Sequence, residues 1–198
     1  MGCSDMSRFM NSMMVKDAIY GRRSIRSYKK EPIDRRVLAE LLAAAVQAPT
    51  AMHAEPWQFA IVEDAKLLKR LSDLAKASCV AEIARLYPDH AGLKSFSQPD
   101  FNVFYDAPTL IVICSASNVP LAIADCWLAA QNLMLGAHAM GLGTCVIGSA
   151  AKALNSPHIK LELDIPPETT AVAPIIIGTP RGDHPPGARS EPRILSRL

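Results

Sequence analysis

The apolar positions change period several times along the chain, from the three-to-four spacing of helices to the unbroken runs of buried strands. Residues 13–20 form a short amphipathic pattern. Asp34 caps a second helix over residues 35–47, with Leu38, Leu41, Leu42 and Val46 on one stripe and Pro49 closing it. Residues 57–62 read as a strand, and residues 65–77 as a helix with Leu67, Leu68, Leu71 and Leu74 turned inward. Residues 86–104 are a polar, proline-punctuated excursion of the kind that forms a lid. A continuous apolar strand follows at 108–114, a weaker helical stretch at 151–163, and a last buried strand at 171–178. Interleaved helices and strands of this kind make an α+β domain.

Residues 119–148 dominate the pattern. Pro120 suits a first helical turn, and the run is apolar on nearly every face until the Gly141/Gly143 pair, so it predicts a buried core helix feeding a strand at 144–147. Asp125, Gln131, Asn132 and His138 interrupt it too often for a membrane span. Its many small residues, among them Ala122, Ala129, Gly136 and Ala137, permit close approach of another helix, within the chain or across a subunit interface.

Composition narrows the class. The chain has 198 residues, 49% hydrophobic and 20% charged, with net charge +2, enough for one domain with a real core and too little charge bias for a nucleic-acid partner. Five scattered cysteines without a C-x-x-C indicate neither a disulfide framework nor a zinc ribbon, which fits a reducing, cytoplasmic setting. Cys114, Cys126 and Cys145 lie in apolar runs, whereas Cys79 is expected nearer the surface; none has the surroundings of a nucleophile, and the histidines lack metal-ligand spacing. Residues 1–11 carry neither a signal-peptide core nor the Ser or Thr of an acylation signal and are expected to be a disordered extension, leaving 12–198 as the single domain. The proline-rich tail after Thr179 is expected to be extended and to wrap over another surface.

Three stretches carry candidate chemistry. Residues 21–28, Gly-Arg-Arg-Ser-Ile-Arg-Ser-Tyr, place three guanidiniums and two serine hydroxyls where they suit a phosphate monoester, although taken alone such a run is more often a solvated basic turn. Residues 48–59 join a helix end to a strand through small residues that let a flat ligand lie against backbone. Residues 141–148 end the central helix with backbone N–H groups near Gly148.

Taken in order, these stretches resemble the flavin-dependent nitroreductase family, with its R-R-S-x-R, A-P-[ST]-x-x-N-x-Q-P-W and G-L-G-T-x-x-I-G motifs. The final motif, residues 175–180, agrees, and the resemblance spans residues 19–195. It implies a three-layer α+β sandwich, a central mixed but mainly antiparallel sheet flanked by helices, in an intertwined homodimer holding two tightly bound FMN molecules. It further implies that Arg22, Arg23 and Ser24 take the phosphate and ribityl end. Arg26 would lie at the N1/O2 edge, and Pro49, Thr50, Ala51, Met52 and His53 would line the ring from the other subunit. Val146, Ile147 and Gly148 would face the N5/O4 edge, and Arg189 or Arg193 would return from the tail to the phosphate.

The implied activity is NAD(P)H oxidation with ping-pong hydride transfer to a nitroaromatic or quinone-type acceptor. The flavin carries the chemistry, so no catalytic side chain is assigned, and neither a metal, a nucleic acid nor a membrane is expected as a partner. Alternatives on the same fold are reductive dehalogenation or flavin destruction, or flavin binding and sensing without turnover. His53 and Glu55 stand where the family has Asn and Gln. His53 either faces the ring's carbonyl edge or is an ordinary loop histidine, and Glu55 has an arginine as its expected partner. Asp125 and Gln131 on the central helix are expected to be interface hydrogen bonders, and His138 a packing residue.

Overall fold

The computed structural model describes residues 13–86, 98–185 and 187–198, with the side chains of 81–86 left aside. The expected extension at 1–11 and most of the expected lid, 87–97, lie outside the described residues. The elements in chain order are α1 (Val15–Gly21), α2 (Arg35–Ala45), a 3₁₀ turn (Ala51–His53), β1 (Trp57–Val62) and α3 (Ala65–Leu86). Then come β2 (Thr109–Ser115), α4 (Pro120–Ala139), β3 (Gly143–Val146), a 3₁₀ turn (Gly148–Ala150), α5 (Ala151–Leu154), α6 (Pro157–Glu162) and β4 (Thr170–Gly178).

Local chemistry sets most boundaries. The Asp34 carboxylate accepts the Arg36 N–H at 2.7 Å, capping α2 as its sequence predicts. Pro120 opens α4, and Gly141, at φ +76°, ends it in a Schellman turn. There the Gly141 N–H donates to the His138 carbonyl at 3.0 Å, and the Leu142 N–H to the Ala137 carbonyl at 2.8 Å. Most boundaries fall within two residues of expectation, and two elements differ by more. Helix α3 continues past Ala77 to Leu86, because 78–86 holds good helix formers and no glycine or proline. The predicted helix at 151–163 is two short ones, since Pro157 starts a new first turn.

The four strands form one sheet in the order β1-β2-β4-β3 with every pairing antiparallel. Its parallel character comes from a single bridge, Ser24 to Thr144, outside the strands. Strand β2 is buried along its whole length, so both sheet faces are covered. Ile111, Ile113, Ile175 and Ile177 face α2 and α4, while Leu110, Val112, Cys114 and Ile176 belong to the opposite layer with α3, α5 and α6. This is the three-layer α+β arrangement.

Helix α4 packs closely on α2 because both surfaces are small. A Cβ on Gly136 would stand 3.5 Å from Leu41, and the Asn132 side chain donates to the Ala44 carbonyl at 3.3 Å. The expectation that α4 is buried all round needs correction: Leu121, Trp127 and Leu128 are exposed in the single chain, as are Val15, Ile19 and Tyr20 on α1. Cys79 also departs from expectation, being buried. Residues 187–198 are exposed along their whole length.

Leu133 is wholly buried between α4 and the sheet, so Leu133→Ala should destabilise the protein by about 2–5 kcal/mol. Leu161→Ala, on an exposed side chain, should change stability by less than about 0.5 kcal/mol. Urea unfolding followed by circular dichroism separates the two.

Candidate functional site

The basic run after α1 is held in extended form against the free edge of β3. The Ile25 N–H donates to the Thr144 carbonyl at 2.9 Å, and the Lys29 N–H to Thr179 at 2.9 Å. This close approach requires glycine opposite: a Cβ on Gly143 would stand 2.7 Å from Ile25 Cγ1, and one on Gly178 would stand 2.9 Å from the Tyr28 ring. Gly143 thus serves strand docking, and of the Gly141/Gly143 pair only Gly141 ends the helix. With Ile25 buried, Arg22, Ser24 and Arg26, two residues apart, share the outer side. The charges of Arg26 and Arg22 act on the buried Cys145 thiol, whose Sγ donates to the Val146 carbonyl at 3.5 Å. Val146, Ile147 and Gly148 follow directly. The Ile147 N–H is committed to the Pro174 carbonyl at 2.8 Å, whereas Gly148 is exposed with open space where a Cβ would stand.

Positive charge accumulates at one end of this array. Burial first, then the charges of Arg189 and Arg23, hold the Arg22 guanidinium below the usual arginine range. Of the tail arginines, Arg189 is the one whose charge is felt at Arg22. The Arg23 Nη1 donates to the Tyr20 and Arg22 carbonyls, both at 2.7 Å, tying off the end of α1, and its buried Nε has no partner. Among the described residues no ion pair includes Arg22, Arg23, Arg26 or Arg189. Two adjacent guanidiniums under the charge of a third, with no ion-pair partner among the described residues, suit an anion with several acceptor oxygens. His138, at the end of α4, closes the cluster: a Cβ on Gly21 would stand 2.6 Å from its Nε2. Burial, followed by the charges of Arg22 and Arg23, lowers its pKa.

The loop at 49–56 is strained. Met52, His53 and Glu55 have φ of 56°, 54° and 44°, in the left-handed region where non-glycine residues cost free energy and cluster at functional sites. The buried Asp125 carboxylate on α4 holds the loop by accepting the Ala51 N–H at 3.1 and 3.3 Å. Thr50 and Ala51 are half-buried, while Pro49, His53 and Met52 are exposed, Met52 to 93%. Glu55 makes no ion pair among the described residues.

The two groups are tied to different points of α4. The loop is tied to α4 at Asp125 and the basic cluster at His138, thirteen residues apart, about 20 Å along a helix. Sequence reasoning missed three supports: Gly143 as a docking surface, Asp125 as the loop's anchor within the chain, and Tyr105, whose ring lies 5.9 Å from the Arg26 guanidinium carbon. Only Asp125 had a signal, as the single acid inside the apolar helix. Three of the described cysteines are poor nucleophiles: burial pushes Cys114 up to about 12 and raises Cys126 and Cys145. Among the described residues no cluster of His, Cys, Asp and Glu suits a metal, and no helix is long and apolar enough to cross a membrane.

The sequence matches the model of the nitroreductase family over residues 19–179. It is 27% identical over 184 residues to a Methanothermobacter thermautotrophicus protein named provisionally as an NADH dehydrogenase/NAD(P)H nitroreductase, covering 91% of this chain and 83% of the other. It is 28% identical over 164 residues to the iodotyrosine deiodinase of Thermotoga neapolitana, covering 77% and 87%. The structure of a Clostridium difficile FMN-dependent nitroreductase superimposes with a TM-score of 0.75 at 25% identity, covering 93% of this chain and 99% of that one.

Asp125→Ala removes a charged acceptor from the Ala51 N–H and should cost about 1.5–3 kcal/mol in urea unfolding, with Asp125→Asn recovering part because one oxygen still accepts. His138 has a folded pKa below its ordinary 6.5, so the unfolded chain binds the proton more readily. Its contribution is complete above about pH 6.5 and is lost as pH falls from there through the depressed folded value, so His138→Gln should flatten this part of a stability profile taken from pH ~7.5 to ~5.

Proposed function

Because the chain belongs to the nitroreductase family, we propose that it is an FMN-dependent NAD(P)H oxidoreductase that reduces nitroaromatic or quinone-type acceptors in alternating half-reactions. One observation carries the cofactor assignment above all: Arg22 and Arg23 are adjacent, feel the charge of Arg189, have no ion-pair partner among the described residues, and Arg23 Nε is buried unpaired. A dianionic phosphate monoester would satisfy all of them, so these residues fit FMN. Arg22, Arg23, Ser24 and Arg189 would hold its phosphate and ribityl end. Arg26 would set a fixed positive charge against the N1/O2 edge, where reduction places negative charge. Val146, Ile147 and Gly148 would run along the N5/O4 edge, with Gly148 as the backbone group nearest the ligand. When bound, FMN supplies a reversible hydride acceptor that takes two electrons from the nicotinamide and passes them to the acceptor.

Pro49, Thr50, Ala51, Met52 and His53 would line the ring from a second copy of the chain. The separation of about 20 Å along α4 between the tie points of the loop and of the basic cluster supports this. The exposed apolar residues on α1 and α4 and the unpacked tail support the same homodimer. The strained loop, fixed by Asp125, would present exposed Met52 and His53 to the ring without rearrangement. The name of the Methanothermobacter relative supports NAD(P)H as donor. A second reading, reductive dehalogenation, is favoured by the likeness to the Thermotoga deiodinase, and turnover of iodotyrosine against a nitroaromatic separates the two.

FMN and riboflavin titrated into the flavin-free protein test the phosphate assignment. FMN should bind much more tightly than riboflavin, and Arg22→Ala should weaken FMN by about 1.5–3 kcal/mol, roughly 10- to 100-fold, while leaving riboflavin nearly unchanged. Equal affinity of the wild-type protein for the two flavins would overturn the assignment.

A further inference from the structure

We propose that Tyr105 is a positioning residue for Arg26, its ring holding the guanidinium in place while leaving the positive charge unneutralised. The inference rests on the reading above that Arg26 faces the flavin's N1/O2 edge.

The two side chains both line a cleft of about 410 Å³, together with Tyr28, Lys30 and Arg181. Arg26 is exposed and makes no ion pair among the described residues; its guanidinium carbon lies 5.9 Å from the centre of the Tyr105 ring. Phe101 packs edge-on against that ring, at 5.6 Å and 89°, so the ring is itself held. Of the two carboxylates in the cleft, Asp106 is engaged by the Asn102 side chain at 2.8 Å, and Asp100 makes no ion pair with Arg26.

The backbone is distorted to put the ring there. Tyr105 and Asp106 have φ of 52° and 54°, and a bulky residue in the left-handed region is an outlier that the surroundings must enforce. They do so from α3. The Lys76 ammonium donates to the carbonyls of Pro99, Gln98 and Phe101 at 2.8, 3.2 and 3.3 Å, and the Ser72 hydroxyl accepts the Val103 N–H at 3.0 Å. The Tyr105 N–H donates to the Asn102 carbonyl at 2.9 Å, and Phe104 is buried beneath the turn. A turn pinned to α3 on its N-terminal side and strained at its tip is a rigid mount for one side chain.

An aromatic face suits this task better than a carboxylate. A carboxylate would orient the guanidinium but cancel its charge, whereas the π-face attracts the cation and leaves its full charge and outer N–H groups for a ligand. Without the ring, the exposed arginine would spend more time in solvent, and its mean charge at the flavin edge would fall.

The test uses FMN-loaded protein and two readouts, the flavin midpoint potential and the affinity for oxidised FMN. Arg26→Ala should reduce the preference for reduced over oxidised flavin by about tenfold, equivalent to ~30 mV for a two-electron couple. Tyr105→Leu should lower it in the same direction by about two- to fivefold, Tyr105→Phe should match the wild type, and oxidised FMN should bind all of them alike. Tyr105→Gln is a second probe without a π-face if the leucine variant folds poorly. In the Arg26→Ala background, Tyr105→Leu should add nothing. An unchanged potential in Tyr105→Leu, an equal shift without Arg26, or loss of oxidised FMN would each overturn the inference. An unchanged potential in Arg26→Ala would instead show that Arg26 does not face the flavin, and the inference would fall with that reading.

Discussion

The close contact between Ile25 and Gly143 governs the arrangement of the site. Three Ile25 atoms lie where a Cβ on Gly143 would stand, so any side chain there would push residues 22–28 off β3. With glycine in place, the Ile25 N–H reaches the Thr144 carbonyl, Ile25 enters the core, and the residues on either side project outward together. Docking turns a run of basic residues, which in solution would repel one another, into an ordered set of donors above Cys145. The Tyr28 hydroxyl, donating to the Ile25 carbonyl at 2.6 Å, closes the same segment on itself.

Helix α4 fixes the second half of the geometry. Its small residues settle it against α2 and the sheet, and from that position it does two jobs. Asp125 accepts the Ala51 N–H and stabilises a loop whose φ values are unfavourable, while His138 at the far end packs beside Gly21 and the arginine cluster. The helix thus sets the spacing between the strained loop and the cationic end. On the same helix Leu121, Trp127 and Leu128 stay uncovered in the single chain.

Much of this was legible in the sequence where local chemistry decides the outcome. Residues 57–62 read as a strand to the residue, Asp34 capped its helix as expected, and Pro120 and Gly141 bounded the central one. The ordered motifs placed Arg22, Ser24 and Arg26 on one segment. What escaped depends on contacts distant in sequence. Met52, His53 and Glu55 adopt positive φ without a glycine to announce it, because a carboxylate seventy-four residues away from Ala51 holds the loop. Gly143 read as a helix end because its partner, Ile25, is remote in the chain. Tyr105 gave no pattern at all, since its value lies in a turn anchored by Lys76 and Ser72. The outer face of α4 read as buried because periodicity reports apolarity and not which chain covers it.

The central claim is that the uncompensated arginine cluster exists to hold the phosphate of a flavin. The most direct measurement is the visible absorption spectrum of the purified protein, followed by identification of whatever is released on denaturation. The account predicts a flavin spectrum approaching one flavin per chain and release of FMN. A protein that is colourless as purified and gains no flavin spectrum after incubation with FMN and removal of the excess would contradict it.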